Sequence, residues 1–295
     1  MSAAPVIVWF RQDLRLQDNP ALQAAVARGG GIVPIYILDP AGEGRWGPGR
    51  ASRWWQHHSL TSLDGALRER GSRLVLRRGD SAEVLHQIVR ATGASAVFWN
   101  RRYEPAAIAR DTLVQAKLAA AGLEVKDFNS ALLHEPHSIA NKQGRPFQVF
   151  TPYWRHCLAR PVTAPLKLAP GNLPRPKTWP SSLAVGALNL CPQDLREAGF
   201  SAIWRPGEAE AAKRLRQFAR GALTDYADAR DRPARSWTSM LSPSLHFGEI
   251  SPRQVWAAVQ ALAKDSGVFP PSKGARVFLS EIGWREFAYH LLFHF

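Results

Sequence analysis

Apolar and polar positions follow two different rhythms along the first 130 residues. Short apolar runs, "VIVWF", "IVPIYIL", "RLVLR", "AVFWN" and "LEVKDF", alternate with longer stretches whose apolar residues recur every three or four positions: "NPALQAAVARGG", "RASRWWQHHSLTSLDGALRERG", "SAEVLHQIVRATG" and "EPAAIARDTLVQAKLAAAG". The first kind fits buried strands, the second amphipathic helices ended by glycine. Strict alternation of the two predicts a doubly wound α/β domain with a mostly parallel sheet over residues 1–130. Ligands of such sheets bind beyond the carboxyl ends of the strands. The candidates there are Arg11, Asp39, Gly79 with Asp80, and Asn100 with Arg101. No GxGxxG or P-loop spacing follows the first strand, so the common dinucleotide and triphosphate fingerprints are absent.

The rhythm changes near Ala131. Residues 131–195 hold ten prolines and few periodic apolar runs, which predicts an irregular interdomain connector. Residues 196–295 read as an all-α domain. In "EAEAAKRLRQFARGALTDYADARDRP", Leu215, Phe218, Ala222 and Tyr226 recur at helical spacing up to Pro233. "SPSLHFGEI" and "SPRQVWAAVQALA" each open on Ser-Pro, a capping residue followed by the residue best tolerated in the first turn. A last helix starts near Lys273. Its Phe287, Leu291, Leu292, Phe293 and Phe295 predict an apolar surface that a further element must cover, and with no cap after it this domain is expected to be incomplete.

At 295 residues, 45% hydrophobic and 21% charged, the chain has room for about two domains with buried cores. No apolar run reaches the ~18 residues of a membrane span and no basic leader opens the chain, so a cytoplasmic protein without a membrane partner is expected. Cys157 and Cys191 lie far from any CxxC spacing; neither a disulfide framework nor a metal site is predicted, and both are expected to be inert. The formal net charge of +14 divides into +5 over residues 1–130 (17 Lys and Arg against 12 Asp and Glu) and +9 over residues 131–295 (21 against 12). Such a surface attracts polyanions, nucleic acid among them, although an arginine-rich composition alone would give the same number.

Six ordered motifs, "VIVWFRQDLRLQDNPAL", "RWWQHHSL", "RRYEP", "FQVFTPYWR", "TSMLSPSLHFGEISPRQVW" and "EIGWREFAYHLL", together resemble the photolyase and cryptochrome family, DNA photolyases in particular, over essentially the whole chain. The resemblance implies an N-terminal α/β domain, a long connector and a helical domain that holds FAD, with the chain stopping inside that domain and inactive by itself. It implies a monomeric deoxyribodipyrimidine photolyase, a carbon–carbon lyase, whose partner is DNA containing pyrimidine dimers.

Residue by residue, the hydroxyls of Thr238, Ser239 and Ser242 beside a helix start suit a pyrophosphate or ribityl chain as well as ordinary capping. The resemblance assigns Thr238, Ser239, Met240, Leu241 and Ser242 to FAD, with Tyr226, Phe278, Glu281 and Arg285. It assigns Arg230 to DNA, where helix-dipole compensation is the plainer explanation. Glu281, Trp284, Arg285 and Ala288 share one helix face. By themselves they describe a Glu281–Arg285 surface pair worth ~0.3–0.5 kcal/mol beside a packing indole. The resemblance makes Glu281 and Trp284 catalytic and DNA-binding: an indole to stack an extruded pyrimidine pair, a carboxylate for its base edge, and Arg285 for the flavin. Glutamate at position 281 is similar to the cyclobutane-dimer enzymes rather than the six-four enzymes. After "RRYE" the run Pro105, Ala106, Ala107 lacks the polar contacts of folate-binding members. That counts against a folate antenna and leaves a deazaflavin, a flavin or none as second chromophore. Two other functions fit less of the chain: a cryptochrome-type photoreceptor without repair, and a generic nucleotide-binding α/β module joined to a helical partner-binding domain.

Overall fold

The computed structural model describes residues 3–167, 171–191, 199–234, 236–263 and 268–295. Strands β1 (Val6–Phe10), β2 (Ile32–Leu38), β3 (Val75–Arg78), β4 (Ala96–Asn100) and β5 (Glu124–Phe128) form one parallel sheet in the order β3-β2-β1-β4-β5. Helices α1 (Pro20–Arg28), α2 (Arg50–Glu69), α3 (Ser81–Thr92) and α4 (Pro105–Ala120) cross between them, so the doubly wound α/β architecture is present as expected. The two-residue period of a strand explains the apolar runs. Val6, Val8 and Phe10 pack with Leu22, Leu60 and Leu63 on one side of the sheet, and Ile7 and Trp9 with Leu85, Ile88 and Val114 on the other. With both faces covered, β1 has no polar side to show. Each such side chain contributes about 1.5–3 kcal/mol by leaving water.

Local signals fix the ends. Asn19 accepts the Leu22 N–H at 3.1 Å with Pro20 opening α1, and Asp80 accepts the Glu83 N–H at 2.9 Å before Gly93 closes α3 in a left-handed turn. Arg15, 1% exposed, donates to the carbonyls of Gln17, Asp18, Ser130 and Gly248 at 2.6–3.0 Å.

By contact the chain divides into two units. One holds Met1–Ser130, Leu166–Glu208 and Phe247–Glu249; the other holds Ala131–Pro165, Ala209–His246 and Ile250–Phe295. The stretch 131–195, expected to be one connector, is therefore shared out. Leu133, Ile139, Tyr153, Trp154 and Cys157 are buried in the helical core, the last three on α5 (Phe150–Leu158), whereas Leu173, Leu188 and Leu190 are buried with the sheet. Irregularly spaced apolar side chains give no periodic signal, yet each still leaves water when the chain runs along a core. The expected boundary near residue 195 lies outside the described residues.

The second unit is helical. The run ending at Pro233 is broken in two, Glu208–Arg220 and Tyr226–Ala229, because the Leu223 N–H bonds back to the Phe218 carbonyl at 3.0 Å and closes the first helix. Pro252–Ala263 carries a reciprocal cap. The Ser251 hydroxyl accepts the Gln254 N–H at 3.0 Å, and the Gln254 amide oxygen accepts the Ser251 N–H at 2.8 Å. The Lys273–His294 helix starts where expected, with Ser272 accepting the Ala275 N–H at 3.0 Å. Its expected uncovered face is smaller than the sequence suggested. Phe287 is buried against Tyr153 and Leu291 packs on the core, leaving Leu292, Phe293 and Phe295 exposed. Among the described residues no helix is long and apolar enough to cross a membrane.

Candidate functional site

Trp284 stands out from the Lys273–His294 helix with 49% of its surface exposed. Its indole stacks on Phe150 with ring centroids 3.7 Å apart and planes 11° from parallel. One turn earlier the half-buried Glu281 is hydrogen-bonded and ion-paired to Arg230. That guanidinium lies 5.6 Å over the ring of Tyr226, which meets Phe218 and Phe278 edge-on. Tyr226, Arg230 and Glu281 are thus brought together, with Trp284 next along the helix. The anticipated Glu281–Arg285 pair does not form. Helix spacing put both on one face, but their rotamers take them to different partners: Arg285 donates to the carbonyls of Ala131 at 2.7 Å and Leu245 at 3.5 Å and lies 4.9 Å over the Tyr289 ring.

The hydroxyl loop is arranged differently from the Ser-Pro reading. The Leu241 carbonyl accepts the Leu245 N–H at 2.8 Å, so Leu241 caps the one-turn helix Ser242–His246 and Ser242 begins it. Met240 adopts a left-handed φ of 51°, Leu241 is buried, and the Ser239 hydroxyl accepts the Leu241 N–H at 3.4 Å. Thr238 and Ser242 are exposed. Phe278 sits in the core, 4.7 Å from Phe218 and 5.4 Å from Tyr226, behind Tyr226 rather than on a surface.

Sequence reasoning missed Glu286 and His290, which point from the same helix into the core. The Glu286 carboxylate, 2% exposed, accepts the Leu133 N–H at 2.8 Å and stands 3.6 Å from Arg285; burial pushes its pKa from the ordinary 4.5 up to about 7. His290 Nε2 accepts the Phe147 N–H at 3.1 Å, and burial pushes that imidazole down to about 4. Both side chains clamp the Leu133–Phe147 segment to the helix. Because the fold favours the protonated Glu286, its contribution to stability is whole below about pH 4.5 and is lost as pH rises through about 7. Relative to the unsubstituted protein, Glu286→Gln should therefore gain stability as pH rises from 4.5 to 7, by on the order of 2–3 kcal/mol, and hold that gain above pH 7. Urea unfolding at stepped pH measures the gap. A gap that narrows with rising pH would contradict the assignment.

At the carboxyl ends of the strands, the sequence candidates are all engaged within the protein. Arg11 donates to Asp111 and to the Asn100 carbonyl, with its guanidinium 4.6 Å over Trp9. Asp39 accepts from the Ser81 N–H at 3.0 Å, the Ser81 hydroxyl at 2.6 Å and the Gly42 N–H at 2.9 Å. Gly79 has a φ of 137°, Asp80 caps α3, Asn100 accepts the Ala21 N–H at 3.1 Å, and Arg101 pairs with Asp127 at 2.7 Å. Beside them Glu43 accepts Arg102 at 2.6 and 2.8 Å, and Arg110 donates to Asp111 at 3.0 Å. Nothing in "AGEGR" or "AIARDTL" distinguished this network from a solvated face. Burial pushes the Cys157 thiol up to about 12, too high for a nucleophile, and no cluster of three metal-ligating side chains occurs among the described residues.

Comparison with known proteins gives one family. Residues 6–171 match the model described as DNA photolyase. Deoxyribodipyrimidine photo-lyase of Agrobacterium fabrum is 45% identical over 297 residues, an alignment covering 100% of this chain and 60% of that protein. Cryptochrome-1 of Arabidopsis thaliana is 37% identical, covering 98% of this chain and 43% of its own length. The crystal structure of a bacterial class III photolyase from Agrobacterium tumefaciens superposes with a TM-score of 0.93 at 45% identity, over 100% of this chain and 60% of that one. The chain thus spans about 60% of the length of these photolyase relatives.

Proposed function

The chain belongs to the DNA photolyase family, and on that premise we propose that the whole protein, a cytoplasmic monomer, repairs cyclobutane pyrimidine dimers in DNA by light-driven electron transfer from FAD. Reversible, light-driven electron donation is the chemistry that a bound, reduced flavin supplies. This chain's part is to hold and to frame. The donor set suits a phosphate-bearing, flat cofactor: exposed hydroxyls at Thr238 and Ser242, Ser239 between them, and a loop fixed by Met240 and the buried Leu241. The one-turn helix after this loop has little dipole, so the hydroxyls carry that contact. Arg285, Glu281 and Tyr226, backed by Phe278, would line the rest. The run Pro105, Ala106, Ala107 opens α4 without a polar side chain and does not fit a folate held by side-chain hydrogen bonds; a deazaflavin or a flavin is the reading for any second chromophore.

The observation that carries the proposal is an indole half out of the protein, one helical turn from a carboxylate already paired with a guanidinium. An extruded base needs a stacking surface and polar readout of its edge. Trp284 supplies the first and Glu281 the second, while Arg230 both orients the Glu281 carboxylate and meets the DNA.

The test is light-dependent loss of dimers from an irradiated oligonucleotide incubated with the flavin-loaded whole protein. Glu281→Ala should keep its flavin and lower repair per absorbed photon about threefold or more, the weight of one hydrogen bond at the reacting base. Glu281→Gln should fall between, retaining shape without charge. The 37% identity to a plant cryptochrome supports a second reading, a photoreceptor that does not repair. Flavin uptake with no loss of dimers under light would select it, and a whole protein that takes up no flavin would sink both.

A further inference from the structure

Trp284 has a role in the proposed function, but the rings beneath it have none. Trp284, Phe150 and Trp154 form a column of nearly parallel planes: 3.7 Å and 11° between the first two, 6.4 Å and 12° between the second two. Exposure falls along it, from 49% at Trp284 through a half-buried Phe150 to 9% at Trp154. The inner end is fixed from two sides. Trp256 meets Trp154 edge-on at 6.2 Å and 79°, and Trp154 lies so close to the helix that a Cβ on Gly283 would stand 2.6 Å from two of its ring atoms. Phe287 closes the flank, edge-on to Phe150 at 5.9 Å and to Trp284 at 6.1 Å. Both come from "FQVFTPYWR": Phe150 lies 134 residues before Trp284 and Trp154 lies 129 residues before Gly283, so only packing brings them under the helix.

An exposed indole on a bare helix samples several rotamers. Stacked on a ring that is itself stacked on a buried ring, it keeps one plane. We infer that Phe150 is a positioning residue: it passes the fixed orientation of Trp154 to Trp284, so that the indole meets an extruded base already in its stacking plane. The inference rests on the proposal that Trp284 stacks a pyrimidine pair. Its physical advantage is that rotamer entropy is lost on folding rather than on binding.

The experiment compares Phe150→Ala, Phe150→Tyr and Trp284→Ala in the flavin-loaded whole protein, using affinity for a dimer-containing oligonucleotide and for the same sequence undamaged. Phe150→Ala should lower dimer affinity about fivefold, leave undamaged DNA unaffected, and be rescued by the planar Phe150→Tyr. In the Trp284→Ala background, Phe150→Ala should cost nothing further. Near-ultraviolet circular dichroism gives an independent reading: the difference between the unsubstituted protein and Trp284→Phe should collapse when Phe150→Ala is added and persist with Phe150→Tyr. If Phe150→Ala does not fold, Phe150→Leu, which keeps volume without a planar face, replaces it with the same expectations. Unchanged dimer affinity in Phe150→Ala, or an equal loss in both backgrounds, overturns the inference. If Trp284→Ala itself leaves dimer affinity intact, the stacking role of Trp284 fails, and the dichroism difference alone decides whether Phe150 orients the indole.

Discussion

Binding of dimer-containing DNA by the whole protein should weaken about tenfold or more in Trp284→Ala, since an aromatic platform is worth ~1–3 kcal/mol per stacked base. The fold should survive the change. With 49% of its surface already in water, Trp284 gives up only about half the burial of a core indole on truncation, and the lost Phe150 stack adds about 0.5–1.5 kcal/mol. Flavin content should therefore stay near that of the unsubstituted protein, with only a modest fall in the thermal midpoint. Undamaged DNA, held through phosphate contacts, should bind as before. A purely structural Trp284 predicts otherwise: lesion affinity, flavin content and stability would fall in parallel. Measured on the same preparations, a parallel fall would remove Trp284 from the lesion site.

Gly248→Ala should destabilise the sheet-containing unit by about 3 kcal/mol or more, a large effect for one methyl group. Gly248 has a φ of +65°, and a Cβ there would lie 2.1 Å from the Gln12 carbonyl oxygen and 2.6 Å from the Asp13 Cα. Both obstacles are backbone, which has no rotamer to yield. Nor is the three-residue segment Phe247–Glu249 free to shift. The Phe247 carbonyl accepts the Leu14 N–H at 3.1 Å, and the Gly248 carbonyl accepts Arg15 at 2.9 Å. The buried Glu249 carboxylate accepts the Trp55 indole at 2.9 Å, the Gly207 N–H at 2.7 Å and the Ser59 hydroxyl. Moving the segment to admit the methyl would break several of these bonds at once. Urea unfolding of the variant reads the cost directly, and a loss below about 1 kcal/mol would show that the segment yields.

The strands, their alternation with helices and most helix ends are properties of short windows, and the sequence by itself determined them. Val6, Val8 and Phe10 alternate with Ile7 and Trp9 because the strand period is two, and Asn19, Asp80, Ser251 and Ser272 announce helix starts because each cap closes on a neighbour three residues away. Helical spacing likewise placed Glu281 and Trp284 one turn apart. The partners of those residues were decided only by the tertiary structure. Glu281 had a cation four residues away on its own helix and paired instead with Arg230, 51 residues earlier. Glu286 found its hydrogen bond 153 residues away at Leu133, and Trp284 found its stacking ring at Phe150. The single local hint was Gly283, a residue poorly suited to a helix interior that marks the close approach of Trp154. Periodicity reports which face a side chain occupies, but the choice among partners on that face is made by rotamers, desolvation and contacts between distant segments, and these exist only once the chain has packed.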